Sequence, residues 1–180
     1  MADLQVLACD DLMGWTTDAN LTDAVDGADF QEGAGSIAGT SVGSGWGSDV
    51  YLKAAGSWDW SGYTYGKIWI KSVNSRTMRI AFRDSDGDRE YWDVSPGNVW
   101  TDQQFTFGTG TTIGTPDYTK MNRVLVYINA SAGGQVIKWD DIRVGPLPAG
   151  GVQGSSGGAV ASMMADSRMF LRCNPYGLKV

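Results

Sequence analysis

Short runs of alternating apolar and polar residues, separated by turn residues, follow one another between residues 5 and 145. In one such run Met78, Ile80 and Phe82 alternate with polar or small residues. Alternation with a period of two is typical of a β-strand that buries one face. No convincing helical period occurs before residue 158. The pattern therefore predicts an all-β domain.

Eight segments carry this strand signal, and the residues between them are rich in Gly, Pro, Asn and Asp. In chain order the segments are 5–10, 48–55, 67–73, 76–83, 89–94, 99–107, 123–129 and 135–144. The sequence Asp86-Gly87 supplies the positive φ angles of a tight hairpin between the fourth and fifth segments. Many short strands in about 140 residues predict a jelly-roll β-sandwich, which we assign to residues 1–145.

The composition changes after Val144. Residues 146–158 are rich in Gly, Pro and Ser and are interpreted as a flexible linker. Residues 159–180 form a tail with exposed apolar residues that need a partner surface, either on the same domain or on a neighbouring subunit. We interpret the tail as an assembly arm of a homo-oligomer. Its apolar residues are Met163, Met164, Met169, Phe170 and Leu171.

The charge excludes several partners. The chain has a formal net charge of −6, whereas binding to nucleic acid or to anionic lipid needs a basic surface. No apolar run approaches the length of a membrane span, and the first residues show no secretory signal. We expect a protein that is made and folded in a cytoplasm.

Catalysis is not expected. The sequence contains no His, the commonest general base and zinc ligand, and no nucleophile-elbow or phosphate-loop motif. Its acidic residues are numerous, but no pair stands out as a glycosidase pair. Of the two Cys, Cys9 lies in an apolar run and is expected to be a buried thiol, and Cys173 lies in the tail.

Three stretches together resemble the jelly-roll carbohydrate-binding modules. They are Cys9-Asp10-Asp11 followed by Trp15, then Gln31-Glu32-Gly33 with Ser36-Ile37, and finally the strand-like Trp139-Asp140-Asp141-Ile142-Arg143-Val144. The resemblance spans residues 5–145. Similar domains also occur in phage tail and head proteins, so the resemblance implies a fold more firmly than a function.

The resemblance also implies a structural calcium ion. Its ligands would be Asp140, Asp10 and Glu32. Oxygen ligands from segments that are distant in sequence suit Ca²⁺ and would tie the two ends of the domain together. The alternative is that these are ordinary carboxylates at strand ends.

Aromatic residues offer a second candidate site. Trp and Tyr rings stack on sugar rings, but they also fill sandwich cores and seal subunit interfaces. The candidates for a glycan or interface site are Trp58, Trp60, Tyr63, Tyr65 and Trp92. Further aromatic residues that could extend such a platform are Trp46, Tyr91 and Trp100.

Two functions follow from these features. The first is a non-enzymatic virion structural protein, such as a capsid decoration protein, located in the virion and assembling with itself and with other virion proteins. The second is a carbohydrate-binding module that recognises glycans through its aromatic residues. The sequence favours the first and keeps the second as the alternative.

Overall fold

The computed structural model describes residues 3–146. The predicted tail residues Met163, Met164, Met169, Phe170 and Leu171, nearly all of the predicted linker, and Cys173 lie outside the described residues. The assembly arm and the domain boundaries therefore stay predictions.

Twelve β-strands and one short 3₁₀ helix (Tyr118–Lys120) make up the described chain. The strands are β1 (Leu4–Leu7), β2 (Trp15–Thr17), β3 (Leu21–Asp26), β4 (Ser36–Ser41), β5 (Gly45–Leu52), β6 (Tyr65–Ser72), β7 (Thr77–Asp84), β8 (Arg89–Val94), β9 (Thr101–Thr106), β10 (Thr111–Ile113), β11 (Met121–Ala130) and β12 (Val136–Gly145). Between residues 3 and 146 no helix is long and apolar enough to cross a membrane.

The first of two six-stranded sheets has the order β3-β4-β12-β6-β9, and β1 also pairs with β12. All of its pairings are antiparallel, including Leu4 of β1 opposite Val144 of β12. The register along β12 shifts between Asp140 and Arg143, where Asp141 adopts a φ of 46°. This irregularity lets β12 pair with β4 along one half and with β1 along the other.

The second sheet has the order β10-β8-β7-β11-β5-β2 and is also antiparallel. The predicted hairpin joins β7 and β8. Its turn is organised by Asp84, whose Oδ1 accepts hydrogen bonds from the backbone N–H groups of Asp86, Gly87 and Asp88. Two antiparallel sheets face each other across one core, which confirms the prediction of an all-β sandwich.

The core contains the apolar halves of the alternating strands. Met78, Ile80 and Phe82 of β7 are fully buried, as the period-two pattern predicts. Trp139 of β12 is also fully buried, and a Cβ on Gly39 of β4 would lie 2.7 Å from its ring. Glycine at position 39 therefore makes room for the indole of Trp139.

Candidate functional site

The outer face of the second sheet carries an unusual set of side chains. Because Met78, Ile80 and Phe82 point into the core, the alternate residues of β7 point outward, and the same holds for β5, β8 and β11. We call this surface the arginine face. Its aromatic residues and arginines are Trp46, Tyr91, Tyr127, Arg79, Arg83, Arg89 and Arg123.

Arg79 occupies the centre of the arginine face. Its guanidinium carbon lies 4.9 Å from the ring centroid of Trp46 and 4.0 Å from that of Tyr91. Two parallel hydrogen bonds of 2.7 and 2.9 Å join it to the carboxylate of Asp93, and they lower the pKa of Asp93. Trp46 also contacts Tyr127 edge to face at 6.4 Å. These contacts fix the aromatic rings in place before any ligand arrives.

Two depressions open on the arginine face. A smaller one, of about 130 Å³, is lined by Trp46, Arg79, Arg89 and Tyr127. A larger one, of about 350 Å³, lies beside it along β2 and β5. Its lining residues are Thr16, Thr17, Asp18, Ser48, Val50, Leu52 and Arg123. Ala81 and Leu125, which alternate with the inward residues of β7 and β11, are also buried.

The aromatic residues that the sequence singled out lie mostly elsewhere. Trp60 is fully buried and stacks between Trp58, at 5.4 Å, and Phe107, at 6.1 Å. A ring with no exposed surface cannot stack on a sugar, so Trp60 has a packing role in this fold. Trp58 is half-buried and stacks on Tyr51 as well.

The other three predicted aromatic residues differ in their surroundings. Trp92 packs inward against Phe105 at 5.3 Å, and Tyr63 packs against the core. Tyr65 lies on the first sheet, where its hydroxyl donates a hydrogen bond of 2.6 Å to Asp3. The structure does not bring these residues together as one exposed platform, and a glycan or interface role for those with exposed surface stays a prediction.

The outer face of the first sheet is occupied by the chain itself. Asp29 accepts hydrogen bonds from the ammonium groups of Lys71, at 2.8 Å, and Lys138, at 2.6 Å, and from the indole of Trp100, at 2.8 Å. The hydrogen bonds from the two lysines lower the pKa of Asp29. The segment that follows β3 is thereby held across part of this outer face.

The predicted calcium ligands hold the same segment. Asp140 is buried, and its Oδ2 accepts hydrogen bonds from the backbone N–H groups of Gln31 and Glu32 at 2.8 and 2.9 Å. Asp10 accepts two hydrogen bonds from backbone N–H groups of the next residues along this segment. The Glu32 side chain is exposed and lies 3.4 Å from Arg143.

The three carboxylates therefore do not form one ligand set. Within residues 3–146 no group of three or more His, Cys, Asp or Glu residues is placed to hold a metal ion. One feature does fit a cation: the Oδ1 atom of Asp140 is buried and has no hydrogen-bond partner in this part of the chain. Burial raises the pKa of Asp140.

Sequence reasoning missed the arginines of this face. Trp46 and Tyr91 appeared only as additions to a platform around Trp58, and Tyr127 was not considered. A signal was present, because in β7 the residues opposite the apolar ones are Arg79 and Arg83. The face could have been found by comparing the outward residues of neighbouring strands. The prediction from sequence compared aromatic residues that are close along the chain instead.

No family model matches the sequence, and no curated protein matches it. Solved structures do share its fold. A family 11 carbohydrate-binding module from Clostridium thermocellum, in complex with a β-1,3-1,4-mixed-linked tetrasaccharide, superposes with a TM-score of 0.64 at 14% identity, over 80% of this chain and 95% of the module.

A family 30 carbohydrate-binding module from a cellulosomal cellulase of the same organism gives a TM-score of 0.62 at 17% identity, over 82% of this chain and 99% of the module. An exo-β-agarase gives a TM-score of 0.64 at 11% identity, and the superposition covers 81% of this chain and 25% of the enzyme. These likenesses define the class of the fold as the jelly-roll sandwich of carbohydrate-binding modules, which confirms the predicted fold.

The same comparisons correct the functional prediction. A virion structural protein was the favoured interpretation, but the similar structures include carbohydrate-binding modules and an exo-β-agarase. The virion role was inferred from the missing secretory signal, the lack of catalytic groups and the linker with its apolar tail, and these features do not separate one jelly roll from another. The alternative, a carbohydrate-binding module, agrees better with the fold and with the aromatic residues of the second sheet.

Proposed function

We propose that this protein is a non-catalytic carbohydrate-binding module whose arginine face binds a polysaccharide. The observation that carries the proposal is the placement of Trp46, Tyr91 and Tyr127 on the open face of one sheet, fixed around Arg79. Aromatic rings with polar edges and neighbouring hydrogen-bond donors suit sugar rings, which combine apolar faces with hydroxyl groups.

The fold likeness supports this proposal, since the family 11 module of the same fold has a bound tetrasaccharide. The chemistry of the face supports binding without catalysis. Its carboxylate beside the aromatic rings, Asp93, is held ionised by Arg79, whereas a general acid must keep its proton near neutral pH.

Binding to a panel of soluble polysaccharides tests the proposal, by affinity electrophoresis and then by calorimetry on any ligand found. We expect Trp46→Ala combined with Tyr127→Ala to weaken binding by about tenfold or more, because two stacking surfaces are lost. Trp69→Ala is the matched control. Trp69 is a half-buried tryptophan that points outward from the first sheet, and its loss should leave the affinity unchanged.

Two results would contradict the proposal. One is a folded wild-type protein that binds no polysaccharide in the panel. The other is binding that survives the double substitution but disappears in Trp69→Ala, since this would place the site on the first sheet.

A structural calcium ion near Asp140 is a separate proposal, supported by the unpartnered buried Oδ1 atom. An ion that binds only the folded state raises stability by about 2.7 kcal/mol at a hundredfold excess over its dissociation constant. We therefore expect CaCl₂ to raise the melting temperature and EDTA to lower it. In the Asp140→Asn variant the melting temperatures in CaCl₂ and in EDTA should be equal. MgCl₂ at the same ionic strength is the control. A melting temperature that changes with neither CaCl₂ nor EDTA would exclude the calcium ion.

A further inference from the structure

Three arginines of the arginine face stand side by side across neighbouring strands. The strand register places Arg123 of β11 opposite Arg83 of β7, and Arg83 opposite Arg89 of β8. Neighbouring strands lie about 4.8 Å apart, so this row of three cations spans roughly 10 Å of one surface. Like charges directly opposite each other on a sheet destabilise it. The fold thus keeps a costly arrangement on the face that also carries the aromatic rings.

Among the described residues, these three arginines have no acidic partner. Within residues 3–146 no carboxylate lies within ion-pair distance of Arg83, Arg89 or Arg123, and only Arg79 has one, in Asp93. Arg83 is positioned by one hydrogen bond of 3.0 Å from its Nε to the carbonyl oxygen of Gly87. The ends of these guanidinium groups remain available to a ligand.

The first sheet provides an internal comparison. Each cation on its outer face lies near at least one carboxylate: Lys67 near Asp102 at 3.5 Å, Lys71 near Asp29 at 2.8 Å, and Lys138 near Asp26 at 2.7 Å. The protein is acidic, with 20 Asp and Glu against 14 Lys and Arg. Within residues 3–146 it nevertheless pairs these lysines of the first sheet with carboxylates and, on the second sheet, pairs Arg79 but not Arg83, Arg89 or Arg123.

We infer that the arginine face selects an anionic polysaccharide, one that carries carboxylate or sulfate groups along its chain. The inference rests on the proposed function and specifies its ligand class. The guanidinium group forms paired hydrogen bonds with carboxylates and similar oxyanions, and it stays charged at any physiological pH. Trp46 and Tyr127 line the same depression as Arg89, so a sugar ring could stack there while its acidic group meets an arginine.

Affinities for four probes test the inference: polygalacturonate, the sulfated galactan carrageenan, neutral mixed-linkage β-glucan, and a single-stranded DNA oligonucleotide. We expect one or both acidic polysaccharides to bind about tenfold or more tighter than the neutral glucan, with an affinity that falls as NaCl is raised. Polygalacturonate binding would identify carboxylates as the recognised groups, and carrageenan binding would identify sulfates.

The variant Arg83→Gln/Arg123→Gln should lose about tenfold or more of the affinity for the acidic polysaccharide, because charge-assisted hydrogen bonds are removed. Lys67→Gln/Lys71→Gln removes the same charge from the first sheet and should have little effect. Melting temperatures of both variants show whether they are folded.

The outcomes separate this inference from the proposed function. If the neutral glucan binds as tightly as the acidic polymers and the arginine variant binds like wild type, the anionic specificity is wrong and the carbohydrate-binding function stands. If no polysaccharide binds, or if the oligonucleotide binds more tightly than all of them, both are wrong.

Discussion

Replacing Trp60 by alanine is expected to lower the free energy of unfolding by about 3–5 kcal/mol, the usual cost of removing a large aromatic side chain from a core. Trp60 lies in a column of rings between Trp58 and Phe107, and the edge of Phe82 closes it from the side. Phe82 belongs to β7, and backbone hydrogen bonds join Trp58 to Met121 and Phe107 to Thr64. We therefore expect these rings to close only part of the space that the indole leaves. Urea unfolding at equilibrium measures the loss.

Trp46→Ala provides the contrast for this prediction. Trp46 is 37% exposed on the arginine face, and its removal should cost about 1 kcal/mol or less in stability while weakening polysaccharide binding. The opposite result would be a Trp60→Ala variant that is as stable as wild type and defective only in binding. It would place the binding site at Trp58 and Trp60, as the sequence first suggested.

The second large effect is a loss of stability as the pH rises through the neutral range. Asp49 of β5 is fully buried, and burial, followed by the negative charge of Asp23, raises its pKa to about 7. Between about pH 4 and pH 7 the folded state holds a proton that the unfolded state releases, so stability falls as the pH rises. At about 1.4 kcal/mol for each pKa unit, the loss is on the order of 2–4 kcal/mol.

Unfolding free energies at about pH 5 and about pH 8 test this expectation. Asp49→Asn should remove the difference and make the protein more stable than wild type at the higher pH, since asparagine has no charge to bury. Asp23→Asn should reduce the difference in part, because only the neighbouring charge is removed. A wild-type protein whose stability is flat or rises over this range would show that Asp49 is ionised in the fold.

The sequence predicted the strands whose inward residues are bulky. Each of the eight expected segments overlaps a strand of the structure, because Met78, Ile80 and Phe82 and their equivalents show the period of two clearly. The strands that it missed, β2, β3, β4 and β10, are short or rich in small and polar residues. In β4 the reason is tertiary: Gly39 is small because Trp139 lies against it, and no local pattern shows that contact.

The binding face was harder to predict than the fold. Trp58 and Trp60 drew attention because they are neighbours in the chain, yet they are neighbours in the core as well. The arginine face gathers Trp46, Arg79 and Tyr127 from three strands. Their proximity depends on strand order and register, which a pattern within one segment cannot supply.

The pairing of β1 with β12 has a consequence for how this module can be joined to other proteins. Leu4 and Val144 are partners across one ladder, so the chain enters and leaves the sandwich at nearly the same point, on the sheet opposite the arginine face. A domain with adjacent ends can be placed inside a surface loop of a host protein with little distortion of the host. Grafted in this way, the module would be attached to its host through two adjacent strand ends of the sheet that does not carry the arginine face.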